Sequence, residues 1–182
     1  MATAFQNQLT NRNFLSPAGF LFNITKEPKV SFFCTSASIP YLSFETSIQP
    51  SYLKDIDVPG EKLTYGDLII RFLVDENLEN YMAIHNWLTG IGFPETPEQF
   101  KTQTTNDDNL RDLKEQWSDG SLAILNSQYR KTADVKFRDL FPTSLTSLEF
   151  DATENDIQYF TAEATFKYTV YNIVDTEGNL LK

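Results

Sequence analysis

The sequence is short of nearly everything that carries small-molecule chemistry. It has one cysteine and one histidine. A single cysteine excludes an internal disulfide, and one of each is too few for a zinc site. A Ser-His-Asp or Cys-His relay would have to use His85. That residue falls on the apolar stripe of a predicted helix, so a structural role is expected. No GxGxxG or GxxxxGK[ST] pattern occurs, which removes the loops that cradle phosphates. Asp107, Asp108 and Asp112 lack the alternating oxygen ligands and central glycine of a calcium loop and read as a solvated acidic stretch. Among 25 acids nothing singles out a pair for glycoside hydrolysis. The expectation is a protein that is not an enzyme, with no catalytic, cofactor-binding or metal residues.

Glycine and proline are scarce too, at 7 and 8 residues of 182, which excludes a fibrous or low-complexity chain. No apolar run reaches membrane-spanning length, and the opening stretch MATAFQNQLTNRNFLSP has no apolar core of signal-peptide length. Positive charge is outnumbered, 15 Lys and Arg against 25 Asp and Glu. The resulting net charge of -10 argues against non-specific binding to nucleic acid or to anionic membranes. The lone thiol fits synthesis in a reducing cytosol.

Aromatic residues are plentiful, with Phe 15 and Tyr 8, as suits a β protein. The stretch from Leu63 to Trp87 organises the chain. Leu68, Ile70, Phe72 and Val74 alternate with Asp67, Ile69, Arg71 and Leu73, the pattern of a strand with one apolar face. The period then changes. Asp75 can cap a helix, Glu76 and Glu79 suit its first turn, and Leu78, Tyr81, Ile84, His85, Leu88 and Ile91 recur at helical spacing until Gly90, Gly92 and Pro94 end it.

Elsewhere alternation predicts a hairpin from Phe20–Ile24 and Val30–Cys34 around Glu27-Pro28-Lys29, and a third strand through Phe44, Thr46 and Ile48. A second hairpin, Leu122–Ile124 with Ala133–Phe137, follows. Leu140–Thr143 reads as a bend and Leu148–Phe150 as a short strand. A long last strand runs from Phe160 to Val170, with Ala162 and Ala164 leaving room for a bulky neighbour such as Trp87. Trp87 is expected in the core, and Trp117 as a core or interface anchor. The whole, residues 1–182, reads as one domain with an N-terminal arm (1–18), an insertion (94–120) and a polar C-terminal tail (174–182). The fold class is mainly β, an antiparallel sandwich or half-barrel with one flanking α-helix.

One stretch is unusual. Between Pro50 and Glu61 a long predicted loop keeps Tyr52, Leu53, Ile56 and Val58, although loop tips are ordinarily polar. It is either folded over its own core or a contact surface for another chain.

Five segments, in order and at matching spacing, resemble the tail tube proteins of contractile-tailed phages. They are FFCTSASIP (Phe32–Pro40), DVPGEKLTY (Asp57–Tyr65), LVDENL (Leu73–Leu78), KFRDLFPTSL (Lys136–Leu145) and NDIQYFTAEATFKY (Asn155–Tyr168). The resemblance covers Gly19 to Ile173, and the insertion and tail depart from it, which leaves the main tube subunit and a paralogue such as the baseplate-proximal initiator both open. It implies a hexameric ring whose inner sheets join into one β barrel, and rings that stack into a tube passing double-stranded DNA without specific binding. Tail sheath and baseplate proteins would be partners, with assembly in the host cytoplasm and no membrane. It also implies that Tyr52, Leu53, Lys54, Asp55, Ile56, Asp57 and Val58 make the inter-ring contact, and that acids such as Glu45 and Glu163 line the lumen. A secreted tube protein of a type VI-like system is the alternative within that fold. A monomeric β-sandwich ligand-binding module, marked by exposed aromatics in a concave site, is the alternative outside it.

Overall fold

A computed structural model describes residues 14–92, 116–151 and 159–181. Alternating apolar residues build a sheet in the order β1-β6-β7-β8-β5-β2, with β9 also paired to β7. The strands are β1 (Phe20–Ile24), β2 (Cys34–Ala37), β5 (Leu68–Leu73), β6 (Ser118–Leu125), β7 (Lys131–Leu145), β8 (Thr161–Lys167) and β9 (Val170–Val174). All pairings are antiparallel. The long β7 carries β9 along its first half and β8 along its second. The change of partner falls at Asp139, whose φ of 55° is left-handed. Opposite this point the last strand breaks too, and the Thr169 N–H donates to the Arg138 carbonyl. The paired kinks bend the sheet, and its apolar face becomes the core.

That core collects Phe22, Leu122, Phe137, Phe166, Leu68, Ile70 and Phe72, all buried. In register, Phe72 lies beside Ala162 and Ile70 beside Ala164, so large side chains occupy the space that the alanines leave. Helix α2 (Glu79–Gly92) closes the core with Ile84 and Trp87. Trp87 meets Phe166 at 6.1 Å between centroids and donates its indole N–H to the Gln116 carbonyl at 2.9 Å. The turn into α2 is held by buried Asn80, which donates to the Leu73 carbonyl and accepts from the Asp75 N–H.

Several expectations need correction. The segment after Glu27 is a short helix, α1 (Pro28–Phe32), and β1 and β2 do not pair as a hairpin: they stand at the two ends of the strand order. His85 is exposed, because Asn80, Ile84, Trp87 and Gly90 are the buried positions of α2. Leu140–Thr143 continues β7, and Leu148–Phe150 forms no strand. The strand expected from Phe160 to Val170 divides into β8 and β9. Ser118–Gly120 belong to β6 and not to an insertion, and residues 93–115 lie outside the described residues. Trp117 is partly exposed. Val174 is buried, and the tail turns back on β9: the Asp175 carboxylate accepts the N–H groups of Asn179 and Glu177, and the Leu181 N–H donates to the Ile173 carbonyl. These hydrogen bonds, that from Asn179 foremost, hold the Asp175 carboxyl below its ordinary range.

Candidate functional site

Strands β3 (Leu42–Gln49) and β4 (Ile56–Tyr65) pair only with each other, as a two-stranded arm. The expected long loop is therefore mostly strand. Ile56, Asp57 and Val58 pair with Gln49, Ile48 and Ser47, and only residues 50–55 form the tip. Pro59 and Gly60 read as loop formers, yet a ribbon with two open edges tolerates a residue without an N–H. At the bulge between Phe44 and Thr46 the arm narrows. A Cβ on Gly60 would stand 2.5 Å from the Glu45 carbonyl oxygen, so glycine is required there by close approach.

The arm contributes nothing to the core. Leu42, Phe44, Ile48, Ile56 and Leu63 are exposed along it, and at the tip Tyr52 is 100% and Leu53 91% exposed. Folding over its own core, one of the two readings of this stretch, is not what the tip does. Lys54, Asp55 and Asp57 are exposed beside these residues.

The base of the arm is fixed by aromatic residues. The Tyr65 ring lies 5.5 Å from Tyr171 and 6.0 Å from Tyr168, in edge-on geometry, and Phe137 lies 5.1 Å from Tyr168. The Tyr168 hydroxyl donates to the Gly66 carbonyl at 2.8 Å, and the Tyr171 hydroxyl to the Pro40 carbonyl at 3.2 Å. Burial, with Tyr171 next to it, pushes the Tyr168 phenol above its ordinary range, so it remains a donor.

The two acids expected at a lumen are not brought together. Glu45 sits on the arm, and Glu163 sits on β8 in the main sheet. Glu163 accepts a 2.6 Å ion pair from the Arg71 Nε across β5 and β8. A second pair joins Lys167 of β8 to Asp67, the residue just before β5, at 2.5 Å. These two pairs balance their charges beside the exposed Ile69 of β5.

A groove of about 670 Å³ opens at the other end of β5, lined by Phe33, Leu73, Val74, Leu78, Phe150, Tyr159 and Phe160 with Asp75 and Glu76. Phe150 and Tyr159 are 75% and 79% exposed, and the Phe150 and Phe160 rings are 4.7 Å apart. Sequence reasoning missed this site. Phe150 and Phe160 carried the only signal, as aromatics on either side of a polar turn. Among the described residues, no group of three or more His, Cys, Asp or Glu side chains could hold a metal ion. No described helix is long and apolar enough to cross a membrane.

A family model described as phage tail tube protein matches residues 2–174. The chain is 27% identical over 124 residues to the tail tube terminator protein of Enterobacteria phage T4, a match covering 68% of this chain and 64% of that relative. Among solved structures it is similar to the tube terminating cap of the anti-feeding prophage, with a TM-score of 0.64 and 18% identity, covering 97% of this chain and 100% of that chain. It is also similar to a chain from the sheath/tube terminator of the extracellular contractile injection system PVC, with a TM-score of 0.57 and 18% identity, covering 90% and 99%. At these identities the solved structures establish the shared fold.

Proposed function

This chain belongs to the phage tail tube protein family, and on that premise we propose that it builds the ringed cap that ends the tube of a contractile tail. It is a structural component of the virion tail, not an enzyme. Six copies close each ring, their sheets continue one another around the lumen, and DNA passes without specific binding. The arm reaches axially to the adjoining ring through Tyr52–Val58, with Lys54, Asp55 and Asp57 setting register. Tail sheath and further tail components pack around it.

The observation that carries this reading is the arm. A two-stranded ribbon is at best marginally stable alone, and this one exposes large apolar side chains along its length. Such an element is explained by a neighbouring subunit that covers it. The 27% identity to a tail tube terminator favours the end of the tube over the initiator or the main tube subunit.

Native mass spectrometry and negative-stain imaging of the purified protein test this. Six-membered rings or cap-sized particles are expected, and added to tubes they should sit at one end. Unlimited tubes from this protein alone would make it the main tube subunit. A monomer would favour a ligand-binding module, whose mark, exposed aromatics in a concave site, is present at the groove.

A further inference from the structure

We infer that the groove at the Leu73 end of β5 receives the N-terminal segment, Arg12 to Leu15, of the next copy around the same ring. The groove suits an apolar guest. Phe150, Tyr159 and Phe160 expose their rings along its wall. Leu78 completes that wall from a left-handed backbone, with φ 58°. A leucine adopts that conformation at a cost, and such strain gathers where ligands are clamped.

The guest matches in chemistry. Phe14 is 96% and Leu15 64% exposed, so two large apolar side chains in succession have little of their own subunit over them. Charge matches as well. Met1 to Lys26 is the longest stretch of the chain without Asp or Glu, and Arg12 stands two residues before Phe14. Asp75 and Glu76 stand at the groove, and among the described residues neither is in an ion pair. Copies of net charge -10 repel one another, so an acid-free segment bearing an arginine is the part best suited to approach an acidic groove on a neighbour.

Placement assigns guest and groove to different copies. Gly19 ties the segment to the Leu125 end of β6: its carbonyl accepts the Leu125 N–H at 2.8 Å, and a Cβ on it would stand 2.8 Å from the Leu125 carbonyl oxygen. At the other end of β1 the Ile24 N–H donates to the Ser31 hydroxyl of α1, and α1 leads directly to Phe33 on the groove. The five residues of β1, about 16 Å at 3.3 Å each, thus separate the root of the segment from the groove side of the subunit. Phe14 and Leu15 do not line the groove of their own copy. Segment and groove are unlike surfaces, and such contacts form a closed ring when their rotation closes. Each copy then gives one segment and receives one, so the contact is satisfied within the ring and recruits no further ring. This inference rests on the ring-forming reading proposed above.

The test links two copies. In a Cys34→Ala background, full-length protein carrying Phe14→Cys is mixed with protein carrying Phe150→Cys, and the rings are oxidised with diamide. A disulfide-linked pair holding one of each is expected. Thr132→Cys, exposed on β7, should link at background level when it replaces Phe150→Cys. Separately, Arg12→Glu or Glu76→Arg alone should weaken ring association about tenfold, read by native mass spectrometry over a dilution series, and the two together should restore it. Rings that form normally, with no mixed disulfide and no charge rescue, would overturn this assignment and leave the ring reading standing. So would a disulfide confined to single copies when a Phe14→Cys/Phe150→Cys double variant is diluted into excess Cys34→Ala protein. Failure of the unmodified protein to form rings would instead overturn the ring reading.

Discussion

Replacing Phe72 by alanine tests the architecture at its centre. Phe72 is 0% exposed, near the C-terminal end of β5, and its partners across the sheet are Ala162 on one side and Cys34 on the other. Neither can expand into the space that a phenyl ring leaves, and α2, whose Ile84 and Trp87 share the same core, is fixed through Asn80 and Trp87. The site is therefore expected to collapse poorly, which places the loss in the range of about 3–5 kcal/mol for a buried Phe→Ala change. For a chain of this size each kcal/mol moves the melting temperature by roughly 2–4 °C, so a drop of about 6–20 °C is expected. Differential scanning calorimetry or thermal circular dichroism reads it directly. Phe44→Ala on the arm is the matched control: that ring is half exposed and touches no core, so its cost should stay near or below ~1 kcal/mol. If both variants melt like the parent, Phe72 does not sit where the sheet places it. If both fall equally, the arm belongs to the core and not outside it.

Other outcomes follow from the same geometry. Leu53→Ser with Ile56→Ser should leave the melting temperature of the isolated subunit within about 2 °C of the parent, because neither side chain supports the core. The same protein should lose docking onto an adjacent ring, seen by negative-stain imaging. A large loss of thermal stability would mean that the tip packs on its own subunit. Cys34 is pushed up to about 11 from its ordinary 9.0, by burial first. The folded state thus keeps a proton that the unfolded thiol gives up. Its stabilising effect is complete below pH 9 and is lost as pH rises toward 11, and Cys34→Ala should remove that alkaline slope from urea titrations. Alkylation of the native thiol should reach half its maximal rate near pH 11, and a midpoint near 9 would refute the burial. Assembled rings should show little affinity for duplex DNA at physiological salt. Tight, salt-sensitive binding in a filter or mobility assay would contradict a lumen that passes DNA freely.

Regular periodicity made the central elements readable. The alternation through Leu68, Ile70 and Phe72 and the helical recurrence after Glu79 both correspond to observed elements, because in each the pattern is set by one buried face. Where burial was set by tertiary partners, the residues misled. Val30 and Cys34 keep strand spacing, but α1 is placed there by packing against β1, and Ser31 accepts the Ile24 N–H through its hydroxyl. The stripe on α2 turned away from His85 because Asn80, a polar residue, is drawn inside by the Leu73 carbonyl. Pro59 and Gly60 concealed half of the arm, since their usual meaning assumes a strand inside a sheet and β4 has an open edge. The apolar tip stood out from sequence alone, being an anomaly of composition. The groove did not, because Phe33, Leu78, Phe150 and Tyr159 come from separate parts of the chain.

The aromatic base of the arm has a mechanical consequence. With eight residues in β3 at about 3.3 Å each, the tip stands roughly 26 Å from its root, so a pivot of five degrees there would sweep it by about 2 Å. That displacement approaches the depth of a side-chain contact. Two tyrosine hydroxyls holding the carbonyls of Pro40, just before β3, and Gly66, just after β4, clamp the lever at its fulcrum. Changing both tyrosines to phenylalanine would leave the rings and remove the clamp. The outcome would be a loss of aim: a folded protein whose tips arrive scattered, and whose angular errors add from one subunit to the next.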